Sequence, residues 1–177
     1  MLKALSTLLV LQHVRAQISL SQVTVTSSSL VQGNLDDITN GVYEPGENYP
    51  TEVYGNCATT DQEDNPWFHL SSTVTLDIST VMILAKNSAD TTEISGLQVF
   101  IGNDATDYYK NTLCPQEVTQ SGFYDCQLSG TEVWLRQRRK DRTLTICQVT
   151  LYEEVNIIEQ VEVASSSISA IDWSSLN

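Results

Sequence analysis

The cysteine content of this chain constrains its fold more than any other feature of the sequence. The four cysteines are Cys57, Cys114, Cys126 and Cys147. The first 16 residues have the pattern of a secretory signal peptide, because Lys3 precedes a short apolar run, and Val14 and Ala16 occupy the positions that signal peptidase reads. An even number of cysteines in a secreted chain predicts two disulfide bonds, with three pairings open. The same pattern predicts an extracellular protein.

Short runs of alternating apolar and polar residues, separated by polar turns, dominate the rest of the chain. This spacing predicts an all-β sandwich or barrel. The clearest runs are Thr73–Ile78, Leu97–Ile101, Glu132–Leu135 and Thr143–Tyr152. Val81–Ala85 is apolar throughout, which predicts a strand that is buried on both faces. In the last run the apolar phase changes between Ile146 and Cys147, which predicts a bulge.

The length of 177 residues predicts one domain with additional residues at its ends. We predict a signal peptide over residues 1–16, a β-sandwich over 17–154, and a linker over 155–177 that begins a second, truncated repeat. Gln22–Leu30 and Gln160–Ile168 share six of nine residues at an offset of 138 positions. Chance similarity between two serine-rich strands is the alternative. A membrane anchor at the N-terminus is disfavoured because its apolar run falls below the roughly 20 residues of a span.

The formal net charge of −13 argues against two classes of ligand. An acidic chain repels nucleic acid and anionic lipid, so neither is an expected partner, and membrane insertion is not expected. His69 is the only histidine after the predicted signal peptide, and no Ser-His-Asp set, Cys-His set or phosphate-binding glycine loop is evident. The sequence therefore predicts a protein that is not an enzyme. Trp67 and Trp134 are predicted core aromatics.

Four segments carry a resemblance to a known family. They are Gly55–Cys57, Asn65–Phe68, Ile94–Asn103 and Leu144–Tyr152. In their order and near-family spacing these segments resemble the discoidin-like jelly rolls and, among them, the F-type lectins or fucolectins. The family versions usually read G-S-C, N-P-W-W, N-G-x-E-V-x-V-G-N and L-T-L-C-E-V-E-V-Y. The resemblance covers about Val23 to Tyr152 and implies an all-β, discoidin-like jelly-roll β-sandwich with two disulfides.

The resemblance also implies the disulfide pairing and a metal site. The implied pairs are Cys57–Cys147 and Cys114–Cys126. Members of the family usually bind a calcium ion near the first crosslink, through oxygen ligands. The corresponding positions here are Asp37, Asn40, the carbonyl of Val42, Asn56, the carbonyl of Cys147, and Gln148. Each replacement keeps an oxygen, although amides take the place of two carboxylates. The alternative is that the amides bond to each other and close the loop without metal.

The sugar-binding residues of the family are mostly replaced. Fucose-binding members use a histidine and two arginines that flank a Cys-Cys pair, and those three positions correspond here to Thr59, Lys86 and Glu93. Lysine keeps the charge but lacks the planar fork of arginine, so fucose affinity in the usual geometry should be lost. A different glycan can still dock on the polar side chains at these positions. The candidate glycan-binding residues are Thr59, Asp61, Glu63, Lys86, Asp90 and Glu93.

We therefore expect a secreted carbohydrate-binding, lectin-like module, supported by calcium, whose partner is an extracellular glycan or glycoprotein. Tandem repeats or oligomers would add avidity. The alternative is an extracellular adhesion or structural module that binds a protein partner. The basic run Arg136–Arg142 is either a docking site for an anionic polysaccharide or a solvated turn that balances the acidic surface.

Overall fold

The computed structural model describes residues 6–41, 55–86 and 94–163. The described chain divides into a main unit, Arg15–Glu154, and a smaller unit whose described residues are 6–14 and 155–163. All described residues of the smaller unit have strand conformation. The signal peptide, the linker and the second repeat stay predictions, and residues 164–177 lie outside the described residues.

The described chain is built almost entirely from strands and turns. In chain order the strands are β1 (Ser6–Gln17), β2 (Val23–Ser27), β3 (Ala58–Thr59), β4 (Trp67–Leu84), β5 (Leu97–Gly102), β6 (Thr112–Leu113), β7 (Gly122–Gln137), β8 (Thr145–Ile146) and β9 (Gln148–Val163). Its two helices are 3-10 turns, Leu35–Ile38 and Tyr108–Lys110. No helix in this described part is long and apolar enough to cross a membrane.

Strands β4 and β7 organise the sandwich because they pair antiparallel along most of their length. The first part of β4 lies between β2 and β7, whereas its last residues lie between β9 and β7. Register shifts at Ser71/Leu76 and Ile78/Thr80 interrupt the β4–β7 ladder, as β-bulges do where strands bend. Strand β5 adds to the second half of β7, and β6 adds to β5. The predicted all-β sandwich is confirmed.

Alternation along these strands separates the hydrophobic core from a second buried surface. Phe68 and Leu70 of β4 are buried in the main core, together with Val133 and Leu135 of β7. Trp67 and Trp134 occupy the alternate positions and therefore lie on the opposite face of the sheet. Trp134 is buried, as predicted, whereas Trp67 is only half-buried, and neither belongs to the main apolar cluster because the alternation of β4 and β7 assigns that cluster to their sequence neighbours.

Residues Val81–Ala85 are buried on both faces, as predicted. Val81 and Ile83 belong to the main core, whereas Met82 and Leu84 form a small separate cluster with the Cys57–Cys147 disulfide. The end of β4 is therefore covered by the disulfide on one side and by the core on the other. This position explains why a fully apolar run can continue to the end of the strand.

The phase change near Cys147 has a different origin from the predicted bulge. Ile146 ends β8, which pairs with β3, and Gln148 begins β9, which pairs with β4. Cys147 lies between the two strands and donates its backbone N–H to the carbonyl of Leu84 at 2.8 Å. The apolar phase therefore changes because the chain exchanges one pairing partner for another.

Candidate functional site

Two segments that are far apart in sequence form a narrow antiparallel ribbon, residues 58–65 against residues 139–146. The connections along this ribbon are Ala58 with Ile146, Thr59 with Thr145, Thr60 with Leu144, Glu63 with Arg142, and Asn65 with Arg139. The Cys57–Cys147 disulfide closes one end of the ribbon. The predicted pairing of this disulfide is confirmed, as is that of Cys114 with Cys126.

The disulfide end of the ribbon is tightly packed. Cys57 and Cys147 are both buried. Gly33 has a φ of +84°, and a Cβ at this position would overlap the carbonyl of Cys57. Only glycine combines this left-handed conformation with so close an approach of two backbones. The loop before Leu35 and the ribbon are therefore held against each other at the base of the predicted site.

The described glycan-site candidates lie on the ribbon or directly after β4. Thr59 is half-buried, and its Oγ1 is 3.2 Å from Oγ1 of Thr145. Asp61 is exposed, and its backbone N–H donates to Ser29 Oγ at 2.8 Å. Lys86 is exposed and follows Leu84 by two residues.

Of the remaining glycan-site candidates, only Glu63 is among the described residues. The carboxylate of Glu63 accepts hydrogen bonds from the hydroxyls of Ser28 at 2.5 Å and Ser29 at 2.7 Å. Glu63 is therefore engaged within the protein. Asp90 and Glu93 lie outside the described residues. Thr59, Asp61 and Lys86 are thus the predicted glycan ligands that the structure places near the crosslinked end of the fold.

The predicted calcium ligands come from three separate segments. Asp37 belongs to the 3-10 helix Leu35–Ile38, which packs beside β2 and β3 and buries Ile38. Asn40 follows this helix, and Asn56 has a φ of +43° just before the disulfide. Val42 lies outside the described residues. The predicted ligands Cys147 and Gln148 are both buried where β9 begins.

The side-chain amide of Gln148 bears most directly on the predicted calcium site. Its Nε2 donates to the carbonyl of Val149 at 3.2 Å, whereas its Oε1 is buried and has no hydrogen-bond partner. A buried oxygen of this kind costs free energy unless a donor or a cation reaches it. The described residues contain no cluster of three or more His, Cys, Asp and Glu side chains that resembles a metal site. The predicted ligands, in contrast, are mostly amide and carbonyl oxygens, which calcium accepts.

A buried polar cluster that the sequence did not predict lies on the face of the sheet opposite the core. His69 Nε2 lies 2.7 Å from Glu132 Oε2, and the imidazole stacks on Trp134 with ring centroids 3.7 Å apart and an interplanar angle of 6°. Burial lowers the pKa of His69 below its ordinary value of 6.5, although the hydrogen bond and the charge of Glu132 act in the opposite direction. Trp67 packs edge-on against Trp134 at 5.0 Å. The alternation of the predicted strand already placed Glu132 and Trp134 on one face and Val133 on the other, but it did not identify His69 as their neighbour.

Arg136 extends this cluster towards the second 3-10 helix. Its guanidinium lies 4.8 Å from the ring centroid of Tyr108 and 5.1 Å from that of Tyr109. It also donates to Gln98 Oε1 at 3.1 Å and to Asn65 Oδ1 at 2.7 Å, and only 4% of the residue is exposed. Arg136 is therefore a structural member of the sheet, although the sequence placed it in the basic run.

Asp104 fixes the loop that carries the two tyrosines. Its Oδ1 accepts hydrogen bonds from the hydroxyl of Thr106 at 2.7 Å and from the backbone N–H groups of Thr106 and Asp107, both at 2.9 Å. These bonds, with that of the Thr106 hydroxyl the largest cause, lower the pKa of Asp104 to about 2. Its carbonyl accepts from Trp134 Nε1 at 3.2 Å. The loop is therefore attached directly to Trp134 of the buried polar cluster.

Comparison with known proteins identifies the fold. A scan against protein-family models found no match, and a search of the curated proteins found none either. Among solved structures, the serum F-lectin (fucolectin) of striped bass, Morone saxatilis, is 19% identical, with a TM-score of 0.60 over 79% of this chain and 48% of that one. The present chain therefore spans about half the length of the striped bass lectin.

Bacterial modules show the same fold over nearly their whole length. The family 32 carbohydrate-binding module of Clostridium perfringens NanJ, solved with galactose, is 12% identical, with a TM-score of 0.57 over 79% of this chain and 100% of that one. A fucose-binding module of Streptococcus pneumoniae is 15% identical, with a TM-score of 0.55 over 78% and 98%. The chain has the discoidin-like β-sandwich fold of these proteins, which confirms the predicted fold class. At such identities the likeness defines the fold and leaves the ligand open.

Proposed function

We propose that this chain is a secreted, non-catalytic carbohydrate-binding module of lectin type. The observation that carries the proposal is the Cys57–Cys147 crosslink, which ties the ribbon bearing Thr59 and Asp61 to the end of β4, directly before Lys86. A binding surface on a disulfide-linked base needs little ordering when a ligand arrives, so less affinity is lost. The fold is also that of modules solved with galactose and with Lewis b antigen. Both disulfides agree with an oxidising, extracellular location.

The ligand of this site should differ from fucose bound in the usual way. Thr59 replaces the histidine of the family pattern, and Lys86 replaces one arginine. Lys86 offers a single point charge, whereas an arginine pair provides directional, bidentate donors. Asp61 adds an exposed carboxylate that can accept hydrogen bonds from sugar hydroxyls. We infer that a glycan with several free hydroxyl groups binds here weakly and gains strength from multivalent display.

Calcium is the proposed cofactor of the crosslinked end. The buried Oε1 of Gln148 would gain a partner, and the carbonyls of Cys147 and Val42 with the side chains of Asp37, Asn40 and Asn56 would complete an oxygen shell. If the ion binds, calcium at about 100 times its dissociation constant should stabilise the fold by about 2.7 kcal/mol relative to chelator. A Gln148→Met variant should lose this response and, in chelator, unfold no more easily than the wild type. No calcium response in the wild type would refute the proposed ion.

A glycan array tests the carbohydrate-binding proposal. The full chain, displayed at high density, should bind a restricted set of glycans, and a chelator should weaken that binding. Lys86→Gln should reduce the signal by about tenfold, because a charged donor to a hydroxyl contributes roughly 1.5–3 kcal/mol. Lys110→Gln removes the same charge at an exposed position away from the ribbon and should leave the signal within a factor of two. The absence of any bound glycan at high density would favour the alternative, an extracellular adhesion module with a protein partner.

A further inference from the structure

The far end of the ribbon carries a concentrated positive charge on an otherwise acidic protein. We define residues Arg138–Arg142 as the basic loop. Four of its five residues, Arg138, Arg139, Lys140 and Arg142, are cationic and exposed. The whole chain has nine Lys and Arg residues and a net charge of −13, so almost half of its basic residues lie in this loop. The single acid of the loop is Asp141, which leaves it with three net positive charges.

The backbone of the basic loop is held in place, so its side chains are presented from a fixed base. Glu63 and Arg142 exchange two backbone hydrogen bonds of 3.1 Å, and Asn65 donates its N–H to the carbonyl of Arg139 at 2.9 Å. Asp141 has a φ of +54° and donates its N–H to Asp64 Oδ1 at 3.2 Å. The loop therefore has little backbone freedom to lose when a ligand binds.

The nearby described carboxylates form no ion pair with these cations. Glu63 accepts from two serine hydroxyls, and Asp64 accepts from the backbone of Asp141. Among the described residues, ion pairs involve Arg15, His69 and Lys110, and none of them includes a residue of the basic loop. The guanidinium groups of Arg138 and Arg139 are thus available to an anion from outside.

A cavity of about 220 Å³ lies between the basic loop and the segment Leu113–Glu117. Arg138 and Arg139 line one side, Leu113 and Pro115 supply apolar surface, and Glu117 adds a carboxylate. The Cys114–Cys126 disulfide fixes the segment that forms the opposite wall. Pockets for drug-sized ligands measure roughly 300–1,000 Å³, so this cavity suits one sugar residue with its substituent.

Gly96 lines this cavity between two charged groups. A Cβ on Gly96 would lie 3.4 Å from Glu117 Oε1 and 3.5 Å from Arg139 Nε. The two charged groups therefore face the same small space without forming an ion pair. Since Gly96 has a φ of +86°, any other residue would be strained there, and the space between the two groups stays open to a ligand.

We propose that this cavity binds an acidic saccharide, one that carries a sulfate or a carboxylate. The arginine pair matches a sulfate or carboxylate with bidentate, charge-assisted hydrogen bonds. Glu117 accepts from a sugar hydroxyl, which a simple inorganic anion does not possess, and Leu113 contacts the apolar face of the ring. Leu113 is 45% exposed and so has apolar surface left to bury. This site lies at the opposite end of the ribbon from Thr59 and does not depend on the glycan site proposed there.

The net charge of the chain opposes the binding of every polyanion. A protein of charge −13 repels polyanions over the Debye length of about 8 Å at physiological salt. Affinity for an acidic saccharide therefore has to come from local contacts of the cavity and the loop. Because Glu117 and Leu113 make those contacts with a sugar ring, a short acidic oligosaccharide should bind better than a nucleic acid of equal charge.

Calorimetric titration of the full chain with four tetrasaccharide-sized probes tests the proposal. The probes are a heparin tetrasaccharide, a hyaluronan tetrasaccharide, neutral maltotetraose and a short single-stranded DNA of the same charge as the heparin probe. At least one of the two acidic saccharides should bind ten times more tightly than maltotetraose or DNA. The heparin arm tests sulfate recognition, and the hyaluronan arm tests carboxylate recognition. Equal binding of DNA, or no binding of either acidic saccharide, would overturn the proposal.

Paired variants locate the site. Arg138→Gln with Arg139→Gln should weaken the acidic saccharide at least tenfold, whereas Arg138→Lys with Arg139→Lys should recover only part of the loss, because lysine keeps the charge without the fork. Lys110→Glu at an exposed position outside both sites changes the net charge equally and should alter the affinity by less than threefold. Equal losses in the two charge-matched variants would mean that overall charge alone governs binding, against the proposal. If inorganic sulfate at the same concentration displaced the saccharide, the cavity would be a site for simple anions, against the proposal.

Discussion

His69 makes the fold sensitive to acid through the contacts of a single side chain. It lies between Trp134 and the carboxylate of Glu132, and its Nδ1 is 3.5 Å from the hydroxyl of Thr26. Because burial holds its pKa below 6.5, the unfolded chain binds more protons than the folded chain just below that pH. The contribution of the neutral imidazole to stability is therefore complete above pH 6.5 and decreases as the pH falls towards the folded-state pKa.

We predict that the free energy of unfolding decreases between pH 7 and pH 5, and that a His69→Gln variant loses most of this dependence. Denaturant unfolding of both proteins at several pH values provides the measurement. The variant should be less stable than the wild type at pH 7, because the stacking on Trp134 is lost. An unchanged pH slope in the variant would assign the acid sensitivity to other groups.

Arg136 and Arg138 allow a matched comparison of two arginines in one run of sequence. Arg136 is buried, donates to Gln98 and Asn65, and lies against two tyrosine rings, whereas Arg138 is exposed. We predict that Arg136→Ala lowers the free energy of unfolding by about 2–4 kcal/mol, because two hydrogen-bond acceptors lose a charged donor. Arg138→Ala should change it by less than about 0.5 kcal/mol. Chemical denaturation distinguishes the two, and equal effects would contradict the assigned role of Arg136.

Between elements, the loop at Gly33 approaches the ribbon so closely that no room remains for a Cβ at this position. Gly33 and Gly41 both have positive φ, of +84° and +70° respectively. A Cβ at Gly33 would overlap the Cys57 carbonyl, whereas the only atom that a Cβ at Gly41 would approach among the described residues is Gln17 Nε2, at 4.0 Å. The two glycines therefore share the conformational requirement and differ in the steric one.

We predict that Gly41→Ala lowers stability by about 1–2 kcal/mol, the cost of a left-handed conformation for a residue with a Cβ. Gly33→Ala should cost at least about 2 kcal/mol more, because the backbone of Cys57 must move as well. Thermal unfolding of the two variants gives the comparison. Similar losses for both would show that the loop can move away from the ribbon at little cost.

The strands show which structural features the local pattern of apolar residues can predict. The run Val81–Ala85 predicted a strand buried on both faces, and the structure confirms it. The predicted bulge at Cys147 was wrong, because a phase change in one sequence does not reveal that the chain moves from β3 to β4 as its partner. The ribbon shows the same limit, since its two segments are more than seventy residues apart in the chain. Pairing of that kind depends on the whole sheet.

At the scale of the whole molecule, the two disulfides differ in the length of chain that they close. Cys57 and Cys147 are 90 positions apart, whereas Cys114 and Cys126 are 12 apart. In the loop-entropy description, a longer closed loop removes more freedom from the unfolded chain. The first bond also covers the end of β4, so its loss affects the small cluster around Met82 and Leu84 as well.

We predict that the double replacement Cys57→Ala with Cys147→Ala lowers the free energy of unfolding by about 4–5 kcal/mol, and Cys114→Ala with Cys126→Ala by about 3 kcal/mol. Equilibrium denaturation of the two variants measures the difference. The second variant should also weaken the acidic saccharide, because Cys114 lines its cavity. A larger loss from the shorter loop would contradict the account based on chain entropy.

The all-β class, the buried end of β4 and, through the resemblance to F-type lectins, the pairing of the cysteines could be predicted from the amino-acid sequence alone. These follow from local alternation and from motifs that lie within single segments. Three contacts appear only in the folded chain: His69 stacks on Trp134, Arg136 is buried beneath two tyrosines, and the basic loop faces Leu113 across a cavity. Each of these contacts depends on the register between distant strands, such as His69 opposite Trp134 in the β4–β7 ladder, and that register is set by the packing of the entire core.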